Sequence, residues 1–582
     1  MAIHELRKKD VQHGFFHSLL AIDVENNTDT GGFICAGVYG EIKTRTSVWI
    51  LGKPRVQYKK VLIDKYFDKQ SEFENFLLSL KANSCLLTFF NLSYDKIYLN
   101  NIIAPLERRK DGTLDSPVLR QGARVITLKL KNGLKAIDLC NIVDGSLENW
   151  INYLDMPNKY GVSKVSLDNL FNRVMNDTKA TYLLGVYIQD FYYKELGIPI
   201  PLTKGAGALR LFQQKYFTDY WYRDRDFYSL YERESYYGGR TELFKKGKFN
   251  CFNYDVNSMY LSIMRDCLIP DASSVKYIEN GKNYLNHFDK YLGIYRCRVK
   301  APKKLNIPVL PVRIDKKLKF PLGEFDGVWT SVELKKAIEK GYKILKVFNY
   351  LYYRNAKPYF QEFAKFIWLK RKEYKAQKNK GMDLLIKGTG NSLYGKFAQR
   401  NSDDYFGKIE DVDNLPDTCE FFDYNGEIWV RIKGELIPAK FEFPCIASFI
   451  TSYARIKLYN GMDANKDTLI YVDTDSLKLT EKATGIDIGL ELGQFQFEGA
   501  AEYEFYRPKF YGEKCKGVPK RAEIIERTAE HIKFKYKKPL REREAIRRHM
   551  APNIWVEVIK IATFNDDKRV WKKDGSSDPL VI

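Results

Sequence analysis

The chain has 582 residues and a mass of 68.0 kDa, enough for three or four packed domains. With 45% hydrophobic and 14% aromatic residues, its composition excludes an intrinsically disordered protein. The formal net charge of +22 favours a polyanionic partner, usually a nucleic acid. The sequence contains no apolar run near the ~20 residues of a membrane span, no N-terminal signal-peptide pattern and no Cys-x-x-Cys pair, so we expect a reduced, intracellular protein.

Residues 1 to about 200 alternate between predicted strands and helices, a pattern typical of an α/β domain. Two of the predicted strands, 19–24 and 86–90, carry or lead into acidic or amide side chains. These are Asp23, Glu25, Asn91 and Asp95. Acids at the strand ends of an α/β sheet converge where such folds place their sites, although each acid alone is more often a solvated strand end.

Two further motifs lie in the middle of the chain. The first is a predicted strand that ends at Asp255 and turns into a helix over 258–265. The second places Lys387, Asn391 and Tyr394 at i, i+4 and i+7, so on a helix they share one face. A cation, an amide and a ring on one stripe can meet a triphosphate and a base pair together.

An ordinary amphipathic helix with a solvated lysine is the alternative explanation of this second motif. Gly388 and Gly390 argue against it, because each costs about 1 kcal/mol inside a helix. Glycines at such positions indicate that a ligand or another backbone approaches closely.

The last motif is a tight hairpin, predicted because two β-prone runs flank Asp473, Thr474 and Asp475. Two carboxylates at a strand tip put hard oxygen ligands at one point, as Mg²⁺ requires. Alone, such a turn is most often only a polar hairpin turn, but the two preceding motifs fit the same chemistry and reverse that weighting.

These three motifs resemble motifs A, B and C of the family B DNA polymerases, in that family's order. The resemblance implies two-metal nucleotidyl transfer, in which Asp255 and Asp475 bridge two Mg²⁺ ions and Asp473 lies behind them or is an occasional ligand. Mn²⁺ can substitute. Lys387 would bind the triphosphate, and Tyr394 would form the platform under the nascent base pair. The implied catalytic and nucleotide-binding residues are Asp255, Asp473, Asp475, Lys387, Asn391, Tyr394, Tyr260, Ser258 and Met259.

Contacts to DNA are implied by two shorter motifs. Tyr236, Gly238 and Gly239 resemble a Tyr-x-Gly-Gly loop that helps to hand the primer end between two active sites, although many loops contain two glycines after tyrosines. Lys509 and Tyr511 resemble a Lys-x-Tyr motif that holds the primer terminus. Tyr260 would press on the nucleotide sugar where a ribose 2′-OH would need room.

The N-terminal region resembles the 3′–5′ exonuclease domain that accompanies these polymerases, with Asp23, Glu25 and Asp95 as ligands of two further Mg²⁺ ions. Asn91, Ser146 and Leu147 would contact single-stranded DNA, and Lys164 would be the nuclease lysine; Ser146 is about as well explained as a helix N-cap. The family's third motif has a tyrosine four residues before an aspartate. Tyr187 and Asp190 have a spacing of three, which rotates the ring by about 100° on a helix. The other alignment takes Tyr182 and puts Val186 at the aspartate position. We favour Asp190.

The implied fold is an α/β and α+β multidomain protein, with an RNase H-like exonuclease domain followed by right-hand palm, fingers and thumb. Two insertion-like regions match, in position and length, those of the protein-primed branch of phages and linear plasmids. The predicted boundaries are 1–200 (exonuclease), 201–290 (palm, motif A), 291–354 (first insertion-like region), 355–400 (fingers, motif B), 401–440 (second insertion-like region), 441–503 (palm, motif C) and 504–582 (thumb and C-terminal region).

The implied function is template-directed replication of a phage or linear-plasmid genome from a terminal protein primer, with proofreading. The implied partners are template–primer DNA, dNTPs and the terminal protein. We expect a monomer that does not contact membranes and acts in the host cytoplasm, or in mitochondria for a mitochondrial plasmid. Two alternatives remain open: a polymerase of the same fold that extends ordinary primers, and a non-catalytic basic scaffold that coats DNA.

Overall fold

Two large β-sheets position the acidic motifs of the sequence. One has seven strands and lies within residues 19–138, and the other has six antiparallel strands drawn from residues 241–511. This computed structural model describes residues 4–9, 17–50, 53–108, 114–122, 124–162, 169–224, 226–402, 404–412, 415–416, 419–424, 426–439, 441–512, 515 and 517–582. Within these ranges, none of the helices is both long enough and apolar enough to cross a bilayer.

The seven-stranded sheet belongs to the N-terminal region. The elements up to residue 190 are β1 (His4–Arg7), β2 (Leu19–Asn26), β3 (Phe33–Ile50), β4 (Lys53–Phe67), α1 (Gln70–Ser79), β5 (Leu86–Phe89), α2 (Leu92–Asp95), β6 (Glu107–Arg108), β7 (Leu114–Asp115), β8 (Val118–Gln121), β9 (Arg124–Lys129), β10 (Lys135–Asp138), α3 (Leu147–Tyr153), α4 (Met156–Tyr160) and α5 (Leu170–Asp190). The strand order is β4-β3-β2-β5-β10-β9-β8, in which β5 pairs in parallel with both β2 and β10.

The two faces of β2 serve different neighbours, because side chains alternate along a strand. Leu20, Ile22 and Val24 enter a core shared with α1, whereas Leu19 packs in the core that contains α5. Asp23 and Glu25 have the parity of Leu19 and therefore lie on the α5 side of the sheet. Helix α5 approaches very closely here: a Cβ on Gly37 of β3 would lie 2.4 Å from the Thr178 hydroxyl oxygen.

The middle of the chain supplies two of the six strands of the second sheet and the paired helices beside it. Its elements are α6 (Lys204–Lys215), β11 (Tyr220–Arg223), α7 (Asp226–Glu234), β12 (Thr241–Leu243), β13 (Gly247–Val256), α8 (Met259–Asp266), β14 (Ile269–Pro270), β15 (Val275–Ile278), α9 (Leu285–Phe288), β16 (Leu292–Lys300), β17 (Val312–Ile314), β18 (Lys317–Lys319), β19 (Glu324–Thr330), α10 (Ser331–Glu339), β20 (Lys343–Tyr353), β21 (Ala356–Lys357), α11 (Gln361–Ala376) and α12 (Lys380–Lys396). Helices α11 and α12 form an antiparallel hairpin that packs on α8.

From residue 400 the chain forms a small β-region, returns to the second sheet and ends in further strands. The elements are β22 (Arg400–Ser402), β23 (Tyr405–Lys408), β24 (Glu420–Tyr424), β25 (Glu427–Ile432), β26 (Leu436–Pro438), α13 (Pro444–Ala464), β27 (Leu469–Asp473), β28 (Ser476–Leu479), β29 (Phe495–Arg507), β30 (Phe510–Tyr511), β31 (Glu523–Arg527), β32 (His531–Pro539), α14 (Glu542–Arg547), β33 (Trp555–Thr563), β34 (Arg569–Trp571) and β35 (Ser577–Pro579). The six-stranded sheet has the order β12-β27-β28-β13-β29-β30.

Backbone pairing crosses several of the domain boundaries that we predicted. Strand β1 pairs with β11, so the N-terminal segment joins the region after residue 200. Strand β15 pairs with β20 and thus belongs to the sheet of the first insertion-like region. Side chains make a further connection of this kind. Arg569, in the C-terminal segment after the strands of 523–563, donates to Glu242 of β12 at 2.8 Å. Such pairings join segments remote in sequence, which local patterns do not reveal.

Candidate functional site

The motif around Asp255 and the hairpin around Asp475 lie side by side in the six-stranded sheet. Asp255 near the end of β13 pairs with Ser476 of β28, and the Val256 amide donates to the Asp475 carbonyl at 2.9 Å. Thr474 takes a positive φ of 64°, and the Asp475 amide donates back to the Asp473 carbonyl at 2.7 Å. The turn therefore forms without glycine, as the sequence requires.

Asp473 is already held by a cation. Lys509 Nζ donates to its two carboxylate oxygens at 2.6 and 2.5 Å, and the Thr241 hydroxyl donates to Oδ1 at 3.0 Å. Lys509 itself has a positive φ of 69°, within the short connection between β29 and β30. This arrangement sets Asp473 apart from Asp255 and Asp475, whose carboxylates remain the central pair.

The electrostatics of this pair is dominated by burial and by like charge. Burial raises the pKa of Asp255 to about 7, Asp475 and Glu498 act in the same direction, and Lys387 opposes them. Burial likewise raises the pKa of Asp475, with Asp473 adding to the effect and Lys387 and Lys509 opposing it. Glu498 of β29 was not singled out from the sequence, because its position beside β13 depends on an irregular strand register.

Helix α12 presents Lys387 and Tyr394 toward these carboxylates, as their common helix face requires. The rings of Tyr394 and Tyr260 stack with centroids 4.6 Å apart and planes at 28°. Tyr236 is close enough to both rings for its charge to affect their titration. Asn391 is half-buried on the same helix.

One of the two helix glycines has a different cause from the one that we inferred. A Cβ on Gly390 would lie 2.7 Å from Ile367 Cγ2 of α11, and a Cβ on Gly388 would lie 3.0 Å from Lys204 Cδ of α6. Close packing against Ile367 therefore accounts for Gly390, whereas the Lys204 side chain that faces Gly388 is flexible and can move aside.

Ser258 and Met259 lie at the start of α8. Ser258 has a positive φ of 49°, and its hydroxyl accepts a hydrogen bond from the buried Arg371, which also donates to Asp383 at 2.9 Å. The Met259 side chain is only 1% exposed. The residue packs in the core, and its assignment to the nucleotide site stays a prediction.

The Tyr-Tyr-Gly-Gly loop lies against the hairpin turn. A Cβ on Gly239 would lie 2.7 Å from Thr474 Cγ2, whereas a Cβ on Gly238 would meet open space. The loop is fixed from below by Arg455 of α13, whose Nη1 donates to the carbonyls of Tyr237 and Gly238 at 2.5 and 3.0 Å. Sequence patterns gave no reason to select Arg455.

Tyr511 is mostly buried. Its ring packs against those of Tyr471 and Phe505, with centroids 5.2 and 5.3 Å away, and Lys478 Nζ lies 5.4 Å from its centre. Of the Lys-x-Tyr pair, Lys509 is therefore the residue that reaches the acidic turn.

A second acidic cluster lies between β2 and α5. Carboxylate oxygens of Asp23, Glu25 and Asp177 are within 4.8 Å of one another. Burial raises the pKa of all three carboxyl groups, and for Asp23 the next contributor is the neighbouring Asp95. The Asp95 carboxylate accepts a hydrogen bond from the backbone N–H of Val24 at 3.0 Å. Nearby, the backbone N–H of Asn91 donates to the Asp138 carboxylate at 2.9 Å.

Our placement of Asp190 and Tyr187 in this cluster is wrong. Asp190 lies 13 residues after Asp177 on α5, which is about 20 Å along the helix axis. Its carboxylate accepts from Lys194 at 2.9 Å, while the Tyr187 hydroxyl donates to Asn379 at 2.8 Å, next to the α11–α12 hairpin. Neither alignment that we considered includes Asp177.

Asp177 is hard to recognise in the sequence because of Arg173. It stands four positions before the aspartate, where the family motif has tyrosine, so a search for tyrosine passes over it. Arg173 Nε lies 3.1 Å from Glu25 Oε1. The signal that could have identified Asp177 is its position on an amphipathic helix, four residues after a side chain that reaches the acidic cluster.

The remaining nuclease assignments have plain structural roles or lie outside the described ranges. Ser146 caps α3, accepting from the Asn149 amide at 3.3 Å, and Leu147 packs against the core. Tyr182 lies edge-on to Tyr39 with ring centroids 5.4 Å apart. Lys164 lies outside the described residues.

Both clusters have the donor chemistry that suits Mg²⁺ or Mn²⁺. Their members are carboxylates, the hard oxygen ligands that these ions prefer. Three oxygens already lie close together in the cluster on β2 and α5. On the two adjoining strand ends of the other sheet, Asp255 and Asp475 crowd like charges that a divalent cation would neutralise.

Comparisons with known proteins relate this chain to DNA polymerases. The family described as DNA polymerase type B, organellar and viral, matches residues 152–437. A probable DNA polymerase of Neurospora intermedia is 27% identical over 301 residues, which are 48% of this chain and 30% of that protein. The DNA polymerase of Bacillus phage Nf is 28% identical over 265 residues, 43% of this chain and 42% of the relative. The chain thus spans less than half the length of either relative.

Among solved structures, a ternary complex of Phi29 DNA polymerase with primer–template DNA and incoming nucleotide has a TM-score of 0.65. It is 17% identical, and the match covers 95% of this chain and 100% of that one. At this identity the likeness establishes the fold, a multidomain α/β architecture. The family model, which matches just under half of the chain, relates it to the type B DNA polymerases of organelles and viruses.

Proposed function

We propose that the chain is a template-directed DNA polymerase whose active centre is the Asp255–Asp475 pair. The observation that carries this proposal is the convergence of three separate elements. The ends of β13 and β28 bring the two carboxylates together, and α12 brings Lys387 and the Tyr394 ring to the same place. A non-catalytic scaffold would need only the basic surface and would not require this convergence.

Asp255 and Asp475 would hold the divalent cations, of which Mg²⁺ is the one that we propose. Such ions lower the pKa of the primer 3′-OH and neutralise the leaving pyrophosphate. Lys387 binds the triphosphate, Tyr394 supports the nascent base pair, and Tyr260, stacked on it, excludes a ribose 2′-OH. Ser258 and Met259 at the start of α8, and Asn391 on α12, belong to the same proposed nucleotide site. Lys509, already paired with Asp473, lies where it can hold the primer terminus.

The N-terminal domain would act as a 3′–5′ exonuclease. Asp23, Glu25, Asp95 and Asp177 supply the four carboxylates that such a site needs, and a divalent cation would bind among them. Asn91 lies near these acids, since its amide donates to Asp138 beside Asp95. The Tyr236–Gly239 loop, packed against the polymerase turn, would hand the primer end from one centre to the other.

The substrates we propose are template–primer DNA and dNTPs, bound by a monomer through phosphate contacts that do not depend on sequence. The genome copied would be that of a phage or a linear plasmid. Initiation from a terminal protein is supported by the two insertion-like regions, which form sheets of their own between the palm segments. A polymerase that extends ordinary primers is the second candidate, favoured by the Lys509–Asp473 contact at the primer position.

Primer extension tests this proposal. Asp255→Ala and Asp475→Ala should each abolish incorporation with Mg²⁺ while DNA affinity and thermal stability stay near those of the parent, because the phosphate contacts lie elsewhere. Lys282→Ala, a surface change remote from the site, is the matched control. Incorporation near the parent rate in either aspartate variant contradicts the proposal. Adding a protein with a free hydroxyl in place of the oligonucleotide primer separates protein priming from ordinary priming.

A further inference from the structure

Arg173 brings a fixed positive charge into the acidic cluster of the N-terminal domain. Its Nε lies 3.1 Å from Glu25 Oε1, and its side chain is 52% exposed while that of Glu25 is 18% exposed. The guanidinium therefore reaches Glu25 from the solvent side. It stands one helical turn before Asp177, so both side chains lie on the same face of α5.

The backbone at this position is held firmly. Helix α5 packs so closely on β3 that Gly37 would place a Cβ 2.4 Å from the Thr178 hydroxyl oxygen and 3.2 Å from the Val174 carbonyl oxygen. Thr178 directly follows Asp177, and Val174 directly follows Arg173. Residue 173 consequently cannot move away from the cluster without moving the helix, and only its side chain can rearrange.

A guanidinium differs chemically from the tyrosine found at this spacing in the family motif. It stays protonated at all ordinary pH values and offers only donors, so it can neither accept from a water molecule nor act as a base. Toward a carboxylate it acts as a permanent cation. Its charge opposes any divalent ion that would share Glu25, and this opposition is strong at such short range.

We propose that Arg173 takes the place of one divalent cation at Glu25, so that Asp23, Asp95 and Asp177 share a single ion. Arg173 is thus a positioning residue, which fixes Glu25 and sets the number of ions that the site accepts. This inference rests on the proposed exonuclease. The alternative is that Arg173 and Glu25 form an ordinary solvated ion pair with no effect on metal binding, as many exposed pairs do.

Direct metal binding tests the inference without any turnover. The background is the full chain with Asp255→Asn and Asp475→Asn, titrated with Mn²⁺ in the absence of DNA and followed by electron paramagnetic resonance. We expect one Mn²⁺ that is lost with Asp23→Asn. Arg173→Gln should admit a second ion, or tighten it at least about tenfold, and Arg173→Lys should retain the parent stoichiometry.

The matched control is Lys194→Gln, which removes a cation paired with Asp190 at the far end of the same helix. It should leave the titration unchanged. Identical isotherms for the parent background and Arg173→Gln, or two ions in the parent background, overturn the inference alone. If Asp23→Asn changes nothing, the cluster binds no ion, and both the nuclease and the inference fall.

Discussion

Asp177 and Asp190 lie on one helix, and exchanging their roles gives a direct test at the residue scale. Asp177→Ala should slow degradation of single-stranded DNA from the 3′ end by about a hundredfold or more, because a charge that stabilises the reacting centre is lost. Asp190→Ala should match the parent, since it breaks only a partly exposed pair with Lys194, worth about 0–1 kcal/mol. Degradation that fails in Asp190→Ala and persists in Asp177→Ala would restore Asp190 as the fourth carboxylate of the nuclease site.

Tyr260 offers a second test at this scale. Replacing it with valine removes a ring that stacks on Tyr394, and the freed space should raise ribonucleotide incorporation about 10- to 100-fold relative to deoxynucleotides. Tyr260→Phe, which keeps the ring and loses only the hydroxyl, should discriminate as the parent does. Competition between the two nucleotide types on one template measures the ratio. An unchanged ratio in the valine variant places the discrimination in another residue.

Individual residues were predictable where a motif is contiguous in sequence. Asp255 and Asp475 fall at the ends of strands that pattern alone delimits, so their proximity follows from the sheet. Asp177 was missed because the neighbour that identifies it, tyrosine, is replaced by arginine. Arg455 could not have been found, because it contacts the Tyr237 carbonyl from a helix more than 200 residues away in sequence. Glu498 could not have been found, because its position beside β13 depends on an irregular strand register.

At the scale of elements, the α11–α12 hairpin depends on a glycine. Gly390→Ala would place a methyl group 2.7 Å from Ile367 Cγ2, so the helices must separate. We expect an overpacking cost of about 1–3 kcal/mol, which exceeds the ~1 kcal/mol that alanine gains over glycine inside a helix.

Gly395 is the control on the same helix, because a Cβ there meets open space. Gly395→Ala should leave the free energy of unfolding unchanged or raise it by up to ~1 kcal/mol. Urea titrations of both variants measure the difference. Equal stability of Gly390→Ala and Gly395→Ala would contradict the packing argument.

Elements with strong periodic signals agree with the structure. The helix predicted over 258–265 is found as α8, and the hairpin predicted around Asp473, Thr474 and Asp475 is found as β27–β28. Their positions relative to one another were accessible only through the family resemblance. Local patterns decide whether a segment is helix or strand, whereas pairings such as β1 with β11 depend on backbone hydrogen bonds between segments more than 200 residues apart.

At the scale of the whole molecule, three regions meet around one buried carboxylate. Glu542 of α14 accepts from Lys96 Nζ at 2.6 Å and from Arg120 at 3.0 Å, both in the N-terminal domain. It also accepts from the Asp423 amide, in the second insertion-like region, at 3.2 Å. A junction of this kind joins the N-terminal domain, the insertion-like region and the C-terminal region into one body, and nothing in the sequence predicts it.

Burial alone would raise the pKa of Glu542, but Lys96 and Arg120 outweigh it and lower the pKa to about 2. Burial meanwhile lowers the pKa of Lys96, a cost that the pair offsets. Glu542→Gln removes the buried carboxylate that both cations share, so we expect a loss of about 3–5 kcal/mol at pH 7. Glu544→Gln, on the same helix and paired with the partly exposed Lys538, should cost under ~1 kcal/mol.

The pH dependence of this loss follows from the lowered pKa. A carboxyl group whose folded pKa lies below its unfolded value stabilises the protein above the unfolded value, near 4.5, and loses that contribution as the pH falls toward 2. The difference in unfolding free energy between the parent and Glu542→Gln should therefore be full at pH 7 and shrink steadily below pH 4.5. Denaturant titrations at several pH values measure it. A difference that stays constant down to the acid limit would show that the ionised carboxylate does not hold the three regions together.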